Sequence, residues 1–165
     1  MKTIKRILIL FCMCFGLIAK AQTVGYTYKA LAAEGCTMRY SVAKQDTEYS
    51  IVATVRSDRM TFLSNPTMRI KTFTGDFLEL KGKVIGNGSQ SAGIISGNMV
   101  LPITEISSTA QFGITSQQFE MLNGGVAKIS LSMTPMNHER TFKKDKIGKK
   151  LYQFYLKVKL KDEKF

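Results

Sequence analysis

From Cys36 onward, apolar side chains recur at every second position in short runs separated by polar turn residues. That period commits the chain to extended strands with one face toward a core. Met38, Tyr40 and Val42 alternate with Thr37, Arg39 and Ser41, and Tyr49, Ile51, Ala53 and Val55 alternate with Glu48, Ser50, Thr54 and Arg56. The polar Gln45-Asp46 link between the two runs reads as a hairpin turn. Ser57-Asp58-Arg59 is a turn cluster, and Asn65-Pro66 is a second break, because the residue before proline is pushed out of helical geometry.

The cadence continues. Thr67 to Phe73 predicts a strand, Thr74-Gly75-Asp76 a turn, and Phe77 to Ile85 a strand with Leu78, Leu80 and Val84 opposite Glu79, Lys81 and Lys83. Gly86-Asn87-Gly88-Ser89 predicts a loop, and Ala92–Leu101, Thr109–Ile114 and 126–134 supply further strands. The expected fold is mainly β, an antiparallel β-sandwich or partly open barrel. Its core is expected from Tyr40, Ile51, Val55, Leu78, Leu80, Val84, Phe112, Ile129 and Leu131. Residues 22–35 show no clean period and read as a lead-in.

Two segments depart from this pattern. Thr115-Ser116-Gln117-Gln118 has the form of a capping box, and Gly124-Gly125 that of a left-handed stop, which predicts a short helix at 116–122. Near the C-terminus two periods compete. Ile147, Leu151, Phe154, Tyr155 and Val158 fall at helical spacing behind Asp145, a candidate cap. Tyr152, Phe154, Leu156, Val158 and Leu160 also alternate strictly, and Gly148 costs a helix about 1 kcal/mol relative to alanine. The stripe running three turns from a cap favours a helix near 146–158.

The first residues have a different character. Lys2, Lys5 and Arg6 precede an uncharged stretch from Ile7 to Ile18, and Ala19-Lys20-Ala21 places small residues where a signal peptidase reads them. The apolar stretch falls short of the ~20 residues that a membrane-crossing helix needs. Residues 1–21 therefore read as a cleaved signal peptide, with 22–165 as one β-rich domain destined for the periplasm or the exterior. Neither Cys12 nor Cys14 has the small preceding residue that a lipoprotein signal requires. The processed chain keeps only Cys36, read as a small buried hydrophobe.

The chemistry-bearing residues are sparse. His138 is the only histidine and sits beside Glu139 after Pro135, which reads as an exposed loop position. A single His and a single Cys cannot close a zinc site, and the Gly82–Gly88 run lacks phosphate-loop spacing. The sequence calls for no cofactor and displays no catalytic constellation.

Charge is the remaining signal. The whole chain carries +12, the segment 1–21 holds four basic residues and no acid, and the remainder is therefore near +8. Of that, +6 lies between Glu139 and Phe165. Arg140, Lys143, Lys144, Lys146, Lys149 and Lys150 crowd eleven residues beside Tyr152 and Tyr155. Such a run is either a solvated face that favours solubility or a contact for an anionic partner: lipid head groups, lipopolysaccharide or acidic glycan. Specific nucleic-acid binding is not expected, since no binding motif accompanies the charge.

The alternating body, the Thr115–Gln118 cap before Gly124-Gly125, the Phe142-Lys143-Lys144-Asp145 entry to the last segment and Ala19-Lys20-Ala21-Gln22 resemble small uncharacterised exported β-sandwich proteins of Gram-negative bacteria. The resemblance implies export and fold. It carries over no activity and no site residues.

Overall fold

The computed structural model describes residues 23–29, 35–58, 60–96 and 99–162. The expected signal peptide at 1–21 and its expected cleavage point lie outside them. The chain is mainly β: eight strands form one antiparallel sheet in the order β1-β2-β3-β6-β5-β4-β7-β8, curled into a half-barrel. The strands are β1 (Thr23–Lys29), β2 (Gly35–Gln45), β3 (Glu48–Ser57), β4 (Thr67–Thr72), β5 (Phe77–Ser96), β6 (Met99–Ile114), β7 (Val126–Leu131) and β8 (His138–Thr141). Among the described residues two helices accompany them, α1 (Ser116–Leu122) and α2 (Gly148–Asp162). Of the two architectures the alternation allows, the chain takes the partly open barrel.

The β2–β3 hairpin forms as its alternation predicts. Gln45 pairs with Glu48 across a two-residue turn, with Asp46 at φ 53°. Of the expected core, Tyr40, Ile51, Val55, Leu78, Leu80, Phe112, Ile129 and Leu131 are buried, and Val84 packs against them half-buried. The chain 22–35 is more than a lead-in: Val24 and Tyr26 lie on β1, which pairs with β2 from Thr23↔Ser41 to Lys29↔Gly35. Val24, Tyr26 and Tyr28 alternate there with Gly25 and Thr27, a two-residue period only one short strand long.

The largest departure lies in β5. Gly86-Asn87-Gly88-Ser89 is not a loop but the middle of a 20-residue strand. A register shift between Val84 and Gly86 absorbs one residue, and pairing with β6 then runs unbroken from Gly86↔Thr109 to Ser96↔Met99. Ser108 Oγ donates to Asn87 Oδ1 (2.7 Å) and accepts the Leu63 N–H (3.1 Å). Cross-strand bonding thus overrides local turn chemistry.

β5 also changes partners midway. Residues 77–81 pair with β4, and from Gly82 onward the strand pairs with β6. At the crossing the Gly82 N–H bonds the Pro66 carbonyl, and a Cβ on Gly82 would stand 2.5 Å from the Phe112 ring. Only glycine lets that ring lie against the strand at the bend.

Both helices form where capping predicts. Thr115 Oγ1 accepts the Gln118 N–H, and Gln118 Oε1 accepts the Thr115 N–H. Gly125 at φ 80° follows α1, donating to the Leu122 carbonyl. Asp145 serves α2: Oδ1 accepts N–H bonds from Ile147 (3.3 Å) and Gly148 (2.8 Å), and Oδ2 from Lys149 (2.9 Å). Oδ1 also accepts the N–H of Val126, the first residue of β7 (2.9 Å). Helical spacing wins over alternation because Leu151 and Tyr155 are buried together, with Tyr155 stacked on Phe119 at 4.6 Å and 9°.

Burial pushes the Asp145 carboxyl pKa upward, but the N–H bonds from Lys149, Val126, Gly148 and Ile147 outweigh it and hold the pKa below the ordinary value. A depressed carboxyl pKa adds stability above about pH 4 and loses it as pH falls through the folded value. Asp145→Ala strands four backbone donors at once, more than the ~0.5–2 kcal/mol of a simple cap. Chemical denaturation is expected to show a loss of about 2 kcal/mol or more. A loss under about 0.5 kcal/mol would show that water replaces the carboxylate.

Candidate anionic-surface site

Three chain segments meet at one end of the sheet. The Phe73 N–H bonds the Gly125 carbonyl (3.0 Å), the Phe142 N–H bonds the Ala127 carbonyl (2.8 Å), and Asp145 holds Val126. This end therefore carries the 73–76 turn, the 123–126 connection and the basic run. The six cations are placed in order along its rim. Arg140 is on β8, Lys143, Lys144 and Lys146 lie in the connection to α2, and Lys149 and Lys150 occupy the first turn of that helix. All six are exposed, and none forms an ion pair among the described residues.

The structure brings them together around two adjoining clefts. One, of about 780 Å³, lies between the start of β1 and the start of α2, lined by Thr23–Gly25, Asp145, Lys146, Lys149 and Lys150. The other, of about 420 Å³, is lined by Arg140 to Lys144 and by Lys146, which borders both. Nearby acids do not cancel this charge. Both Asp145 oxygens face backbone N–H groups, and Glu139 is bonded to Lys128 at 2.8 Å. An anion here meets lysine and arginine heads rather than the helix N-terminus, whose donors Asp145 already holds.

Apolar side chains share this end. Phe77 is 61% exposed, Phe73 46% and Met121 40%. A Cβ on Gly125 would contact both Phe73 Cδ2 (3.3 Å) and Asp145 Cβ (2.9 Å), so the Phe73 ring borders the basic segment. In the sequence Phe73 and Phe77 read only as strand residues. The signal was present: Leu78 and Leu80 face inward, so Phe77 shares the outer face with Glu79 and Lys81.

The aromatic neighbours expected of the basic run are otherwise engaged. Tyr155 is buried, and the Tyr152 hydroxyl donates to Glu120 Oε2 at 2.6 Å. Cys36 is buried as expected.

His138 corrects its sequence reading. It is fully buried on β8, not exposed in a loop. Its Nε2 lies 2.6 Å from the Tyr26 hydroxyl on β1, and that hydroxyl lies 3.3 Å from the Tyr40 hydroxyl on β2. Phe142 meets the Tyr26 ring edge-on at 5.6 Å. The two sheet edges, β1 and β8, thus close on each other through side chains. Burial first, then Arg140, lowers the His138 pKa to about 4, against a smaller upward pull from Glu139. Burial likewise holds the Tyr40 hydroxyl well above the usual tyrosine pKa. His138 and Tyr40 are therefore both neutral at physiological pH.

No family model, curated protein or solved structure matches this chain. Among the described residues, no helix is long and apolar enough to cross a membrane, and no group of three or more His, Cys, Asp or Glu could hold a metal ion.

The His138 geometry carries a pH prediction. An imidazole neutral in the fold but protonated when unfolded binds its proton preferentially in the unfolded state between pH 6.5 and about 4. Stability is full above pH 6.5 and declines as pH falls toward 4, by at most about 3 kcal/mol. Melting temperatures of the native chain and His138→Gln, compared at pH 7 and pH 5, should show a steeper acid loss for the native chain. Parallel losses would mean that protonation of His138 is accommodated without opening the seam.

Proposed function

We propose that this protein is an exported, non-enzymatic binding protein that docks on an anionic lipid surface through the end bearing its basic run. The carrying observation is the six exposed cations ranged around two adjoining clefts, with Phe73 at their border. Lysines in the first turn of a helix oppose its dipole, so Lys149 and Lys150 sit where stability alone disfavours them. Exposed phenylalanines next to such charge favour a bilayer over a soluble acidic glycan, because a head-group layer accepts both. A binding role agrees with the burial of His138 and Cys36, the side chains a nucleophilic site would need exposed. Export rests on the composition of residues 1–21. The intact mass of the recovered protein tests it: a chain beginning at Gln22 is expected, and one retaining residues 1–21 or bearing lipid contradicts the reading.

Attraction to an anionic membrane is worth ~1 kcal/mol per Lys or Arg and fades within a Debye length, about 8 Å at physiological salt. Neutralising Lys143, Lys144, Lys149 and Lys150 together should sharply reduce sedimentation with acidic vesicles and leave the melting temperature nearly unchanged. Phe73→Ser with Phe77→Ser should remove the part of vesicle binding that survives high salt while leaving retention on a heparin column intact. If the lysine variant sediments as the native protein does at low salt, the run is only a solvated face. Equal losses on vesicles and heparin for the phenylalanine variant would redirect the site to a soluble polyanion.

A further inference from the structure

The β5–β6 hairpin outgrows the sheet that bears it. β3 follows β6 only as far as Ser57↔Ile106, and β4 follows β5 only as far as Thr67↔Lys81. Beyond Ile106 the two strands pair with each other alone, from Ser89↔Ile106 to Ser96↔Met99. The result is a two-stranded ribbon that leaves the body at the end away from the basic run, since β5 starts beside the 73–76 turn and ends at the tip. Such a ribbon has no third strand and is marginal alone in water. Its chemistry is also distinct. Residues 84–104 contain no charged side chain, in a chain whose processed form carries about +8.

Exposed edges in monomeric proteins are guarded by charge, proline or bulges, because free N–H and C=O groups recruit another strand. The β6 edge has Pro102, which has no N–H to offer. From Gly88 to Ser96 the β5 edge has neither proline nor charge, and its single register shift lies back at Val84/Gly86.

We propose that this arm joins two copies of the chain, the outer edge of β5 from Gly88 to Ser96 pairing antiparallel with the same edge of a second copy about a two-fold axis. The charge distribution favours a second copy as the occupant. The arm is the uncharged surface on which two positive bodies can meet, and antiparallel pairing sets those bodies at opposite ends of a four-stranded ribbon. The paired segment spans roughly 30 Å, several times the Debye length of about 8 Å, so repulsion between the bodies is screened. An edge that pairs with itself gives a closed, isologous contact.

Two variants test the arm. In one, Ser91–Thr104 is replaced by Asn-Gly, which closes the hairpin between the register partners Gln90 and Glu105. In the other, the exposed Ser89 and Ser91 become lysines, which keeps the hairpin and charges its edge. Sedimentation equilibrium of the processed protein should show a reversible dimer. Ser89→Lys with Ser91→Lys should raise the dissociation constant at least tenfold with little change in melting temperature, and the shortened variant should remain monomeric. Hydrogen exchange at 88–96 should slow as native protein concentration rises. The proposal fails if the native protein stays monomeric at every concentration, or if association persists in both variants. It fails equally if the lysine pair abolishes vesicle binding while the native protein in solution is a monomer, which would make the arm a membrane contact.

Discussion

One carboxylate holds the two halves of the chemistry together. Asp145 accepts N–H bonds from Val126, Ile147, Gly148 and Lys149, so a single side chain starts α2 and fixes it to the first residue of β7. The approach is possible because two neighbours are glycines. A Cβ on Gly148 would stand 2.5 Å from the Val126 nitrogen, and one on Gly125 would press into Asp145. Gly125 is also at φ 80°, which a larger residue adopts only with strain. Replacing any of the three weakens the tie between α2 and β7, which leaves the buried Leu151 and Tyr155, the latter stacked on Phe119 and edge-on to Tyr49, to hold the helix in place.

The sheet depends on two further junctions. At Gly82, β5 passes from β4 to β6 and so joins the β1-β2-β3-β6 half to the β4-β7-β8 half. At the open side, His138, Tyr26 and Tyr40 bring the free edges together without a backbone ladder. A side-chain seam differs from a ladder in that its strength can depend on protonation. Lowering the His138 pKa to about 4 keeps the imidazole in the seam neutral at physiological pH.

The sequence disclosed these features unevenly. The β2–β3 hairpin was legible because alternation and a two-residue turn agree, and α1 because both halves of a capping box lie within four residues. The cap on α2 was legible too, although its tie to Val126 reaches 19 residues back and has no local signature. In β1 the alternation of Val24, Tyr26 and Tyr28 is present but spans only seven residues, too short to stand out without its β2 partner. The arm escaped because Gly86-Asn87-Gly88-Ser89 has every local mark of a turn, and only pairing with Ile106–Thr109 makes it a strand. His138 escaped because its burial comes from Tyr26, 112 residues away and at the opposite sheet edge. Of the site, the six cations were read correctly as exposed, while the neighbouring Phe73 and Phe77 became visible only once the turn between them was placed at the same end.

Lys149 and Lys150 lie in the first turn of α2, directly after the Asp145 cap. A helix start favours acidic residues, and α2 has none in its first turn apart from the Asp145 carboxylate that precedes it. That half-buried carboxylate is turned onto backbone donors, so it offsets the dipole while the lysine heads stay exposed beside it. The arrangement separates two tasks that compete in most helix termini. Asp145 satisfies the backbone, which leaves the cleft between Thr23 and Lys150 positive without leaving the helix uncapped. Substituting the lysines therefore removes the surface field and, by relieving the opposed helix dipole, does not lower stability, whereas substituting Asp145 disturbs the fold beneath it, and the two effects are separable by measuring stability and vesicle binding on the same variants.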